Sequence, residues 1–372
     1  MLFSSIHIWH LIIGKETIMT DGKVVKNVKK IKREEEPLVQ YDHYIAIDWS
    51  EKTMAIARMT RNQRFPITHE QPTNLKEMQL YLDQLRGTKI LCVEETTTAH
   101  WLYLELCEYV DRIIICDPYR NRLLVDGPKT DKIDASKLCT LLKAGLVKEV
   151  FHSHALDFEL RKLVSAYQDI VKAGVRFKNQ RTAIYRAEGK NRTEKLESKT
   201  LQFILEHNKT AIDLYEQTKS EYVAQFERLC KADKRIRHQT EIPGIGIIGA
   251  VRIVAIVVDA HRFEHTGKYL SYCGLVLLPK MSGMRSYGQR RPRCDRELKA
   301  VYKTAALSAV TNDGPLHEYY ESLRSKGLAD YDARNAVARL IAKISYGMLK
   351  NGTPYKPMLW KERMQSATKK SA

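Results

Sequence analysis

Three short apolar runs, each closed by an acid, constrain the fold more than anything else in the chain. They are Tyr44-Ile45-Ala46-Ile47-Asp48-Trp49, Lys89-Ile90-Leu91-Cys92-Val93-Glu94 and Arg112-Ile113-Ile114-Ile115-Cys116-Asp117. Runs this short and this apolar read as strands buried on both faces. The first is followed by strand patterns at Thr53 to Met59 and Arg64 to Thr68, linked by short turns as in an antiparallel meander. Helix patterns separate the others: Thr73 to Leu85, which Thr73 can cap, and Ala99 to Val110. The order predicts an α/β domain with a mixed sheet over 41–150.

After the third run comes Lys129-Thr130-Asp131-Lys132-Ile133-Asp134-Ala135, heading a helical run from Asp134 to Leu146. Residues three apart project from one helix face, so Asp131 and Asp134 can address one point. An acid pair also suits a helix start for purely electrostatic reasons. In open α/β sheets ligands bind beyond the carboxyl ends of the strands, where Asp48 and Glu94 stand as well. Four packed carboxylates repel one another, and a hard cation such as Mg²⁺ removes that cost. Two such ions ~3.5–4 Å apart can clamp the attacking and leaving oxygens of a phosphodiester. Glu95, beside Glu94, leaves the choice of glutamate open.

From 151 to 240 the pattern changes to two long antiparallel helices around a charged break, Glu188 to Ser198, expected to form a coiled-coil arm that dimerises the protein. The region 241–358 reads as mainly helical. It opens with Pro243-Gly244-Ile245-Gly246, which resembles the turn of a helix-hairpin-helix element and leads into a helix at Gly249 to Val258. Glycines there let backbone N–H groups approach a phosphate; an interhelical turn without a ligand has the same composition. Helices are also expected at Glu297 to Thr311 and Tyr331 to Leu349. Between them and the turn lies a basic loop, Lys280 to Arg296, joining Ser282 and Ser286 to Lys280, Arg285, Arg290, Arg291 and Arg293. Guanidinium forks bind phosphate oxygens, and a serine hydroxyl beside them can act as a nucleophile, although no adjacent His or Lys is an obvious base. His261-Arg262-Phe263-Glu264-His265 matches a zinc-peptidase pattern at the end of a helix, and is expected to be an accidental match. His152 and His154 read as ordinary loop histidines.

The chain carries 62 Lys+Arg against 44 Asp+Glu, a formal charge of +18 that favours a polyanion such as nucleic acid. No basic amphipathic helix suits a membrane surface, no run approaches a bilayer span, and residues 3–14 lack the flanks of a secretory signal. Seven scattered cysteines, none in a Cys-x-x-Cys pair, suggest reduced residues in a cytosolic protein. Residues 1–40 and 359–372 read as tails, and Met19 is an alternative start.

The span from Tyr44 to Pro357 resembles the insertion-sequence transposases related to the Piv/MooV DNA invertases. The matching motifs are Ile45-Ala46-Ile47-Asp48, Val93-Glu94-Glu95-Thr96, Lys129 to Ala135, Ile242-Pro243-Gly244-Ile245-Gly246, Tyr272-Cys273-Gly274-Leu275, Ser282-Gly283, and Ala336-Val337-Ala338-Arg339 through Tyr346 to Pro354-Tyr355. The resemblance implies an RNase H/RuvC-like domain with a DEDD acid set, Asp48, Glu94, Asp131 and Asp134, and a transposase domain whose nucleophile is Ser282. It further implies two Mg²⁺ ions, donor and target DNA, a structured noncoding guide RNA, and homodimers assembling into a tetramer in the bacterial or archaeal cytosol. Lys129, Pro243, Gly244, Gly246 and the basic loop residues would contact nucleic acid. Two departures stand out: Arg290 to Asp295 replaces a Ser/Thr-Lys-x-Gly-Asn run, and Thr97 replaces a glycine. The alternatives are a RuvC-like Holliday-junction endonuclease using water, and a non-catalytic nucleic-acid-binding protein. A sugar kinase-like ATPase is disfavoured because no glycine-rich loop follows Asp48.

Overall fold

The computed structural model describes residues 40–117, 130–152, 155–283 and 285–357. Both expected tails (residue 40 apart), Met19, Lys129 and His154 lie outside the described residues. The chain forms two compact units, one of residues up to 94 with 107–148, the other of 95–106 with 149 onward.

The first unit is built on strands β1 (His43–Trp49), β2 (Thr53–Thr60), β3 (Ile67–Pro72), β4 (Lys89–Glu94) and β5 (Arg112–Cys116), in the order β3-β2-β1-β4-β5. The meander pairs antiparallel, whereas β1–β4 and β4–β5 are parallel, which is the mixed sheet expected. Strand alternation sorts the side chains. Tyr44, Ala46, Ala55, Ala57, Met59, Ile90, Cys92, Ile114 and Cys116 form one buried face with Ala135, Leu138, Cys139 and Leu142 of helix α3 (Asp131–Lys143). On the other face α1 (Leu75–Gln84) is anchored where Tyr81 meets His69 of β3 edge-on, with ring centroids 5.4 Å apart.

Local chemistry moved three predicted boundaries. Asn74, not Thr73, caps α1, its side-chain oxygen accepting from the N–H groups of Lys76 and Glu77. The third strand runs later than expected because its pairing with β2 sets Ile67 against Arg58 and Pro72 against Thr53. Helix α3 starts at Asp131 rather than Asp134, since Thr130 Oγ1 accepts from Ile133 N at 3.3 Å and caps the earlier turn.

The second unit holds α2 (Ala99–Leu106), the short β6 (Glu149–Val150), α4 (Ala155–Ala187), α5 (Lys199–Ala232), α6 (Lys234–Thr240), α7 (Ile247–Val257), α8 (Thr266–Tyr272), the hairpin strands β7 (Leu278–Ser282) and β8 (Arg285–Arg290), α9 (Arg296–Thr311), α10 (Pro315–Ser325) and α11 (Asp330–Asn351). The long helices α4 and α5 pack antiparallel, as contacts at opposite sequence ends require. Asn208 Nδ2 donates to Phe177 O at 3.0 Å, Gly174 makes room for the Tyr215 ring, and Tyr167 meets Phe226 at 5.1 Å. Their roots enter a core centred on α7, whose sequence is apolar almost throughout. Inside it Tyr302 Oη and Ser345 Oγ are 2.7 Å apart and Ser345 Oγ donates to Gln239 Oε1 at 2.6 Å, so the buried hydroxyls are partnered. The sequence reading lacked α6, α8, α10 and β6; α6, α8 and β6 are too short to show a period, whereas α10 (Pro315–Ser325) is amphipathic and was simply missed. Among the described residues no helix is long and apolar enough to cross a membrane.

Candidate active site

The strand register carries the acids to one end of one sheet face. Asp48 continues the Tyr44–Ala46 row of β1, and Glu94 ends the Ile90–Cys92 row of β4. Ile47 pairs with Val93 in the parallel ladder, so Asp48 and Glu94 occupy the following rung of adjacent strands, side by side on the α3 face. Both are half-buried.

Helix α3 runs antiparallel to β1, and three contacts fix this. Cys139 Sγ donates to Tyr44 O, near the start of β1, at 3.3 Å. Lys143 Nζ donates to Thr60 O at 3.1 Å, and Thr60 pairs with His43 at that same end. At the other end, Lys132 Nζ ion-pairs with Glu70 Oε2 at 3.4 Å. Glu70 pairs with Ala55, and Ala55 with Asp48. The first turn of α3, with Asp131 and Asp134, therefore lies at the rung of Asp48.

Beneath this edge the floor is apolar and uncharged. Its hydrogen bond with Cys116, together with burial, pushes the Cys92 thiol well up, and burial pushes that of Cys139 up to about 12. Neutral thiols in a low-dielectric floor strengthen any carboxylate–cation attraction above them. The four donors are all carboxylate oxygens, a set that suits a hard divalent cation. Among the described residues no three Asp, Glu, His or Cys side chains stand close enough to form a metal-binding group, so the acids share an edge rather than a closed cage. Lys132 and Glu70 were not singled out from sequence; the only signal was the basic residue between the two aspartates.

The basic loop is a correction to the sequence reading: most of it is an antiparallel hairpin. Ser282 pairs with Arg285 across a turn at Gly283, whose φ of 59° a side chain rarely adopts. Lys280, Ser282, Arg285 and Arg290 are all exposed on it, and Arg291 and Arg293, just past β8, are exposed too. A hairpin this exposed gains little from burial, and β-bulge geometry between Pro279 and Met281 bends it. Ser282 sits at its tip.

Pro243 and Gly244 form the turn between α6 and α7. Gly244 has φ +86°, and an added Cβ would meet Ala305 O of α9 at 2.2 Å, so this glycine is demanded by packing. Gly246 caps α7 without a side-chain hydrogen bond and has open space beside it. The His261–His265 pattern is not on one helix face. His261 lies in a short 3₁₀ turn with its ring Nδ1 2.9 Å from Asp259 Oδ1, and His265 caps α8 by accepting from Gly267 N at 3.1 Å.

Comparison with known proteins finds transposases over two stretches of the chain. Residues 45–186 match a transposase family, DEDD_Tnp_IS110, and residues 237–321 match the Transposase IS116/IS110/IS902 family. The chain is 29% identical over 171 residues to the "Insertion element IS116 uncharacterized 44.8 kDa protein" of Streptomyces clavuligerus, covering 43% of each chain. It is 29% identical to the "Insertion element IS110 uncharacterized 43.6 kDa protein" of Streptomyces coelicolor, covering 36% of this chain and 33% of that one. It is 31% identical to the "Insertion element IS900 uncharacterized 42 kDa protein" of Mycobacterium paratuberculosis, covering 33% and 32% respectively. The matched stretches thus span less than half of each relative's own length. The two matches stand in order along the chain, and over residues 45–186 and 237–321 it is similar to transposases, the second stretch to those of the IS116/IS110/IS902 family.

Proposed function

We propose that this protein cuts and rejoins DNA as the transposase of an insertion sequence, by transesterification through Ser282. The observation that carries the reading is the antiparallel docking of α3, which brings Asp131 and Asp134 to the sheet edge where Asp48 and Glu94 end adjacent strands. These four acids would hold Mg²⁺, which when bound supplies charge neutralisation at the phosphodiester. Ser282 Oγ loses its proton and attacks phosphorus; a serine–phosphate bond forms, the P–O bond to one strand breaks, and the released strand oxygen takes up a proton. Attack by a strand hydroxyl on the phosphoserine reverses these changes and reseals DNA, so bond number is conserved and no energy source is needed.

The exposed Lys280, Arg285, Arg290, Arg291 and Arg293 would bind backbone phosphates around Ser282. Pro243, Gly244 and Gly246 would act as a helix-hairpin-helix turn, the N-terminus of α7, whose cap Gly246 offers no side-chain hydrogen bond, meeting a phosphate. By resemblance, a structured noncoding RNA guides target choice. The helices α4 and α5 form the coiled-coil arm of a homodimer, and dimers pair into the tetramer that brings serine and acids to one phosphodiester.

The test is strand cleavage on an element-end substrate with Mg²⁺. Wild type is expected to leave a protein–DNA adduct stable to denaturant, and Ser282→Ala to lose both adduct and cleavage. Cleavage at full rate by Ser282→Ala would transfer the role to water, as in a junction endonuclease. Recombination surviving Asp131→Ala intact would mean that the acid edge is not catalytic.

A further inference from the structure

The carboxyl end of α7 gathers three arginines. Arg161 Nε of α4 donates to Ala255 O at 3.1 Å, Arg262 Nη2 to Ile256 O at 3.1 Å, and Arg235 Nη1 to Val258 O at 3.5 Å. Val258 itself has φ 59° and ψ −73°, a conformation a β-branched residue avoids, and strain of this kind gathers at working sites. Capping a helix end accounts for part of the cluster, since the terminal carbonyls carry roughly half a negative charge. It does not account for the rest.

Arg235 is neutralised: its Nη2 meets Asp233 Oδ2 at 2.8 Å and its Nη1 meets Asp157 Oδ1 at 3.0 Å. Among the described residues no carboxylate forms an ion pair with Arg161 or Arg262; Asp157 and Glu95 reach Arg161 only through space. The two guanidinium groups dock on consecutive carbonyls, and burial and then the Arg262 charge push Arg161 below the usual arginine range. Arg262 Nε is buried without a hydrogen-bond partner. Arg262 is also held rigid, its guanidinium carbon lying 5.1, 4.6 and 4.9 Å from the ring centroids of Phe151, Phe263 and Tyr272. Two half-buried like charges on consecutive carbonyls, one of them, Arg262, fixed by aromatic rings and keeping an unused buried donor, are arranged for an anion with several acceptor oxygens. Tyr272 O accepts from Asp295 N at 2.9 Å, and that bond closes the base of the segment bearing the Ser282 hairpin.

We infer that Arg161 and Arg262 form a binding site for a backbone phosphate of nucleic acid at the root of the serine hairpin. The inference rests on the nucleic-acid reading of the protein above. Each arginine that neutralises a phosphate releases condensed counterion, so its loss lowers the salt dependence of binding in a countable way.

The experiment measures binding of the full chain to a short fluorescent DNA duplex, and separately to a short structured RNA, across a salt series. Arg161→Gln and Arg262→Gln are each expected to weaken binding and to reduce the slope of log K against log salt by roughly one. Arg262→Lys is expected to retain the slope. Arg235→Gln, at the same helix end but already neutralised, is expected to leave the slope unchanged even if it lowers Tm. An effect confined to the DNA arm or to the RNA arm identifies the strand that occupies the site. Salt-dependent wild-type binding with unaltered slopes for Arg161→Gln and Arg262→Gln in both arms overturns this inference alone. An equal loss of slope in Arg235→Gln also overturns it, because the cluster would then act structurally. Failure of wild type to bind either probe overturns this inference together with the nucleic-acid reading.

Discussion

His100 and His152 illustrate how far a residue's role depends on neighbours the sequence does not disclose. The His152 ring read as a loop histidine; in the fold its Nδ1 lies 3.5 Å from Nδ1 of the buried His100, whose ring stacks on Phe158 at a centroid distance of 3.6 Å. Burial, with His100 and Arg161 nearby, pushes His152 down to about 4 from the ordinary 6.5. The folded protein therefore holds a neutral ring where the unfolded chain would bind a proton. The resulting stabilisation is complete above pH ~6.5 and is lost as pH falls toward ~4. Thermal unfolding followed across that window should show a loss of about 1–2 kcal/mol for this ring after allowance for solvent screening. His152→Phe should flatten the slope. A slope unchanged in that variant would assign the acid sensitivity to other groups.

At the scale of elements, helix periodicity and strand alternation made the sheet and the long helices legible, because Ile45, Ile47, Leu91, Val93, Ile113 and Ile115 on one face and Ala46, Ile90, Cys92 and Ile114 on the other can all be apolar only if both sheet faces are covered. The hairpin was not legible. Apart from the half-buried Leu278, Leu278–Ser282 and Arg285–Arg290 are exposed, and they are largely polar, so neither carries the apolar alternation that marks a half-buried strand. What fixes the hairpin is its turn, and Gly283 at φ 59° is the residue that allows it. Gly283→Val should misplace Ser282 and cut the serine-dependent step by at least tenfold, while Tm stays within a few degrees because the hairpin buries so little. Cleavage at the wild-type rate by a folded Gly283→Val protein would show that the turn does not position the serine.

For the whole molecule, the proposed dimer has a test of its own. Phe203 and Leu214 are 62% and 63% exposed and lie about three turns apart on α5, so they share a helix face. Asn208, Ile212 and Tyr215, the buried residues toward α4, lie on the other side. Replacing both Phe203 and Leu214 with Lys should shift sedimentation velocity from dimer to monomer without unfolding the helices, which are held together by their buried face. A dimer of undiminished affinity in that variant would remove these helices from the interface.

By itself the sequence determined the mixed sheet, the two long helices, the acids at strand ends and the net charge, since each follows from local periodicity or from a count. Tertiary structure alone decided that α3 runs back along β1 and so delivers Asp131 and Asp134 to the rung of Asp48. It alone decided that Gly244 yields to the backbone of α9, and that Arg161 and Arg262 meet at the end of α7. The reason is physical: periodicity says which face of an element is buried. Its direction and partners are set by contacts between residues tens to hundreds of positions apart, and no local pattern records them.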